Sequence, residues 1–62
     1  MIEYEEMQYQ IDIQMDGRYY ARIYKAGIPG PIFFTDDFDT KDEAVEAAIQ
    51  IIDDHIAITG GL

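Results

Sequence analysis

Met7-Gln8-Tyr9-Gln10-Ile11-Asp12-Ile13-Gln14-Met15-Asp16-Gly17-Arg18-Tyr19-Tyr20-Ala21-Arg22-Ile23-Tyr24-Lys25 is the stretch that decides the fold. Up to Met15 it alternates: Met7, Tyr9, Ile11, Ile13 and Met15 fall on one side, and Gln8, Gln10, Asp12 and Gln14 on the other. That period of two belongs to a half-buried β-strand, because successive side chains leave a pleated strand on opposite faces. Asp16-Gly17 then supplies a hairpin turn.

The two faces also select the register. A two-residue loop pairs Met15 with Arg18 and sets Ile11 against Arg22, which mixes charge into the apolar side. A three-residue loop of Met15, Asp16 and Gly17, with Gly17 left-handed, pairs Ile13 with Tyr19, Ile11 with Ala21 and Tyr9 with Ile23. All the apolar residues then share one face, so this register is expected. The other face carries Tyr20, Arg22 and Tyr24 opposite Asp12, Gln10 and Gln8.

Working outward, Ala26-Gly27-Ile28-Pro29-Gly30-Pro31 reads as a loop, and Ile32-Phe33-Phe34-Thr35 as a short third strand with Pro31 at its start. Thr40-Lys41-Asp42-Glu43 has the form of a capping box. Thr40 is expected to accept from the Glu43 amide, and the Glu43 side chain to reach back to the Thr40 amide. A helix follows, running to about residue 56 and stopping before Gly60-Gly61. Its apolar side holds Ala44, Val45, Ala47, Ala48, Ile51, Ile52 and His55, with Ile49 and Ile56 at the border of the stripe. The expected fold is therefore α+β: a three-stranded antiparallel sheet in β-β-β-α order, with one C-terminal helix packed on one face. Residues 1–62 form one domain.

Composition narrows the function classes. Thirteen acidic residues against four basic ones give a formal net charge of −9. Such a field repels nucleic acid and anionic membranes and attracts basic protein surfaces. There is no cysteine, which excludes disulfides and thiolate metal sites and fits a reducing, cytoplasmic setting. The Met1–Glu6 start is acidic where a secretory signal is basic and then apolar, and no apolar run is long enough to span a bilayer.

Catalysis finds few candidates. The chain has no serine, its threonines are Thr35, Thr40 and Thr59, and Thr40 is spoken for as a cap. The single histidine, His55, falls on the apolar side of the helix, where a core or interface role outweighs a catalytic one. Asp36-Asp37-Phe38-Asp39 with Asp42 and Glu43 suggests a cation loop, but it lacks the central glycine and the correctly spaced glutamate of an EF-hand. No catalytic residue, metal or cofactor is expected.

The binding candidates lie elsewhere. Tyr20, Arg22 and Tyr24 alternate along one sheet face, and tyrosine and arginine are enriched at binding hot spots. Asp36, Asp37 and Asp39 offer a second, acidic surface, and Ile49 and Ile56 are candidates for a dimer or partner contact.

The hairpin Gln8-Tyr9-Gln10-Ile11 … Gly17-Arg18-Tyr19-Tyr20-Ala21-Arg22-Ile23, followed by the helix entry Phe38-Asp39-Thr40-Lys41-Asp42-Glu43-Ala44, resembles HicB-like antitoxins and other small bacterial β-β-β-α proteins. Phe38 stands where that group has glycine before the aspartate, and its Leu-Pro-Gly-Cys-type segment is missing. In size and charge the chain also resembles phage-encoded inhibitors of bacterial defence, anti-CRISPR proteins among them. These resemblances imply an inhibitor or antitoxin-like protein docking on a basic site of a partner, one that normally holds nucleic acid. The alternative is a non-enzymatic structural or regulatory homodimer.

Overall fold

The Asp16-Gly17 turn closes as the side-chain pattern requires. In the computed structural model, which describes residues 1–59, Gly17 donates to the Gln14 carbonyl and Gln14 to the Arg18 carbonyl. Gly17 sits at φ 88°, a left-handed angle that costs glycine nothing for want of a Cβ. Asp16 Oδ1 accepts from the Arg18 amide at 3.0 Å and stiffens the loop. The strands on either side, β2 (Met7–Ile13) and β3 (Tyr19–Lys25), pair antiparallel with Ile13 opposite Tyr19, Ile11 opposite Ala21 and Tyr9 opposite Ile23. The register is the one the two faces dictate.

The sheet has four antiparallel strands rather than the expected three, in the order β1-β2-β3-β4. The additional strand, β1 (Ile2–Tyr4), precedes the hairpin and pairs Ile2 with Tyr9 and Tyr4 with Met7. It is joined to β2 through Glu5 and Glu6, with Glu5 forced to φ 57°. Tyr4 also reaches the helix, donating from its hydroxyl to Asp53 Oδ1 at 3.0 Å. That hydrogen bond, with a smaller contribution from burial, raises the Tyr4 pKa above its ordinary value.

On the other edge, β4 is only Phe33–Phe34, pairing Phe33 with Ile23 and Phe34 with Arg22. The backbone nevertheless stays alongside β3: Ile32 donates to the Ile23 carbonyl at 2.7 Å and Thr35 to the Ala21 carbonyl at 3.0 Å. Farther on, Tyr19 pairs with Phe38, which requires one extra residue on this side of the ladder. Thr35 absorbs the bulge. Its Oγ1 accepts from the Ala21 amide at 2.8 Å and donates to the Asp36 carbonyl at 2.9 Å.

The helix α1 (Lys41–Thr59) begins at the expected cap, with Thr40 Oγ1 accepting from the Glu43 amide at 3.2 Å. The second half of the box differs, because the Glu43 carboxylate accepts from the Thr40 hydroxyl at 3.0 Å rather than from its amide. The helix continues past residue 56 because Ala57 and Ile58 contain no breaker, and the expected stop at Gly60-Gly61 lies outside the described residues. Ala48 and Ile52 are buried against Met7, Tyr9, Ala21 and Ile23, and Ala44 is fully buried as well. The two alanines let the helix axis approach the sheet closely, and full burial of Ile23 and Ile52 stabilises the fold by about 1.5–3 kcal/mol each.

The apolar face of the hairpin extends beyond this cover. Ile13 is 62% exposed although it shares the face of Tyr9, and Met15, in the turn beyond it, is fully exposed. The 37 Å long axis of the molecule against 15 Å for the shortest reflects this elongated outline.

Candidate functional site

With the helix on one face, nothing among the described residues covers the opposite face of the sheet. Alternation along β3 places Tyr20, Arg22 and Tyr24 there, facing away from the helix-side residues Ala21 and Ile23. Arg22 is tied down at the centre: its Nε donates to Asp12 Oδ2 at 2.6 Å, and Gln10 Nε2 donates to Asp12 Oδ1 at 3.1 Å. The hydrogen bond to Asp12 raises the Arg22 pKa above its ordinary value, so the guanidinium is held charged but neutralised. The tyrosines therefore flank an ion pair, not a free cation.

The register adds a residue that the sequence reading did not single out. Phe34 stands directly opposite Arg22 on the same face and is 61% exposed. Cross-strand neighbours share a face, so the strand assignment at Phe33-Phe34 held the signal once its register was known. Phe33, one residue earlier, turns to the helix side and meets the His55 ring edge-on at 5.5 Å.

At one end of the face, Tyr24 borders an open groove of about 520 Å³ together with Glu3, Glu6, Gln8, Lys25 and Ile28. This volume falls within the span of small-ligand sites, yet the groove is a surface depression and does not exclude water. At the other end, the pairing of Phe38 with Tyr19 brings the acidic loop beside Tyr20. Asp37 accepts from Gln14 Nε2 at 3.2 Å, and Asp39 lies 3.6 Å from Arg18 Nε. Asp36, Asp37 and Asp39 are all exposed. The acidic loop and the tyrosine face, separate in the sequence, thus adjoin at the hairpin.

Ile49 and Ile56 do not join them. Both are half-buried and packed against the core on the helix side, away from the tyrosines. Val45 and Ile51 occupy the same rim. His55 is half-buried as well, and its Nε2 is enclosed without a hydrogen-bond partner among the described residues. No three metal-ligating side chains converge among the described residues, and no described helix is long and apolar enough to cross a membrane.

The arrangement offers apolar and aromatic contact area, a neutralised centre and a carboxylate border. No family model, curated protein or solved structure matches the chain.

Proposed function

We propose that this chain is a small acidic protein-binding module that docks on a basic site of a partner protein and acts there as an inhibitor or antitoxin-like protein. The observation that carries the reading is the uncovered sheet face, where Tyr20, Tyr24 and Phe34 surround a cation already neutralised by Asp12. Aromatic side chains bring large contact area at low conformational cost, which favours protein hot spots. Phosphate contacts need free cations, and with a net charge of −9 the chain has few to offer. The carboxylates of 36–39 border the same face and suit a cationic rim. The reading assigns binding rather than catalysis, with no cofactor, and the cysteine-free chain suits action in the cytoplasm.

The test is capture of partners from host lysate, identification, and titration with the purified partner. A basic partner is expected whose Kd rises about tenfold or more on Tyr20→Ala, Tyr24→Ala or Phe34→Ala, and whose affinity falls as salt is raised. A partner indifferent to all three substitutions and to salt overturns the reading. Sedimentation equilibrium separates it from a homodimer assembled through Ile49 and Ile56.

A further inference from the structure

The four strands leave one stretch of sheet edge open. β1 ends opposite Tyr9, while β2 continues to Ile13. In an antiparallel ladder, residues alternate in which neighbour their amide and carbonyl address. Gln14 donates to Arg18 on the β3 side, so Asp12, Gln10 and Gln8 also address β3. Ile11 and Ile13 therefore direct both N–H and C=O to the β1 side, past the end of β1, where no strand lies among the described residues.

The two outer strands are blunted. β1 has three residues, only Glu3 turning its backbone outward, and β4 has two, with Pro31 before it and the Thr35 bulge after. The distal half of β2 carries neither proline nor bulge, and its helix-side residue Ile13 is 62% exposed.

The surroundings of this edge differ from end to end. Beside Ile11 lies a notch of about 180 Å³, walled by Ile2, Tyr9 and Ile11 with Lys41 at its rim. Beside Gln14 lies a notch of about 350 Å³ bounded by Met15, Asp16 and Asp37. The first opens at the start of β1 beside Ile11, with Gln10 also in its wall; the second lies at the hairpin tip, where Gln14 reaches across β3 to Asp37.

We propose that an extended segment of the basic partner adds to this edge as a further antiparallel strand. An apolar side chain fills the Ile11 notch, and a Lys or Arg three positions before it, opposite Gln14, faces the Asp16 carboxylate at the turn. The spacing follows from the register: the strand antiparallel to β2 meets Gln14 first and Ile11 three residues later, and those two positions lie on opposite faces. Charge chooses the occupant, since a basic segment meets Asp16 and a net charge of −9 with attraction, whereas a second copy brings another −9. Main-chain hydrogen bonds supply affinity, and the Ile11 notch with the pairing of charge at the turn supplies selectivity. The inference rests on the proposed basic partner and specifies how that partner is held.

The probe is a blocked, fluorescein-labelled peptide, Thr-Arg-Val-Thr-Ile-Lys-Thr, titrated into the full chain at low salt, with amide exchange followed by NMR. Saturable binding is expected, with the Ile11 and Ile13 amides slowed by about tenfold or more. Ile13→Lys blunts the edge, and Ile13→Pro removes one outward donor without touching the β2–β3 ladder. Both are expected to weaken binding by about tenfold while the melting curve of Ile13→Lys stays near wild type. Replacing Arg and Lys of the peptide by Gln is expected to abolish most of the affinity. Binding that leaves the two amides exchanging as in the free chain overturns the proposal. So does equal binding of the neutral peptide, or a dimer of the chain alone that already protects these amides. If the captured partner responds to Tyr20→Ala but not to Ile13→Lys, this inference falls and the proposed function stands. If a captured basic partner responds to Ile13→Lys but to none of Tyr20→Ala, Tyr24→Ala and Phe34→Ala, the edge is the contact and the tyrosine face is not; if no basic partner exists, both readings fall.

Discussion

The two ends of the β2–β3 hairpin carry the same alternating pattern and meet different fates. At the root, Met7, Tyr9 and Ile23 are buried beneath Ala48 and Ile52, with β1 and β4 on either side. At the tip, Ile13 continues the same face and Met15 follows it in the turn, and both stand in solvent. A period of two tells which side of a strand is apolar; it does not tell how far the cover reaches. Cover depends on where the helix lies across the sheet, and one helix on a long hairpin leaves an end bare. Stability is thus concentrated at the root, and exposed apolar surface at the tip.

The strongest way to break this comparison is to damage the root. Ile23→Ala and Ile52→Ala each remove a fully buried side chain and are expected to lose about 2–5 kcal/mol. For a chain of 62 residues the whole stability is of the order of 3–9 kcal/mol, so either variant should lose a large share of it. Urea unfolding followed by circular dichroism measures the loss. A cost below about 1 kcal/mol at both positions means the root is not the tightly packed core described here.

The root also shows where the sequence was readable and where it was not. The hairpin register was legible because one alternative put Arg22 among apolar residues and the other did not. The helix start was legible because Thr40 and Glu43 have the chemistry of a cap. β1 escaped because Ile2-Glu3-Tyr4 is too short for a convincing alternation and Glu5-Glu6 is not a turn-forming pair. The bulge at Thr35 escaped because it is set by a side chain replacing a backbone acceptor, which no periodicity reports. Of the candidate site, Tyr20, Arg22 and Tyr24 were legible as one face. Their junction with Asp37 and Asp39 needed the Tyr19–Phe38 pairing, and Phe34 needed the β4 register. Ile49 and Ile56, at the border of the stripe on a helical projection, pack half-buried against the core.

A gentler change sharpens the comparison by reinforcing the root. Glu5 holds φ 57° in the β1–β2 turn, a conformation costing a residue with a Cβ about 1–2 kcal/mol. Glycine adopts it freely but gives back roughly half of that in unfolded-state entropy. Glu5→Gly is therefore expected to gain about 0.5–1 kcal/mol, read as a rise in Tm of roughly 2–8 °C. The Ile2 and Tyr4 amides should exchange more slowly in the same variant, since a relaxed turn holds β1 on β2 for longer. A loss of stability would mean that the turn carries no strain.

The smallest expected effect is at the tip. Met15 is fully exposed and Ile13 is 62% exposed, so Met15→Gln and Ile13→Thr remove almost no buried apolar area. Each is expected to lie within about 0.5 kcal/mol of wild type in urea unfolding of the isolated chain. Such apolar residues remain unused by the fold, and a face that stability does not need is open to another purpose. A cost of more than about 1 kcal/mol from either change would show that the tip is covered in solution, and concentration dependence of that cost would identify the cover as a second copy. Indifference of the fold, joined to a loss of partner binding in the same variants, would assign the two ends of one hairpin to different tasks.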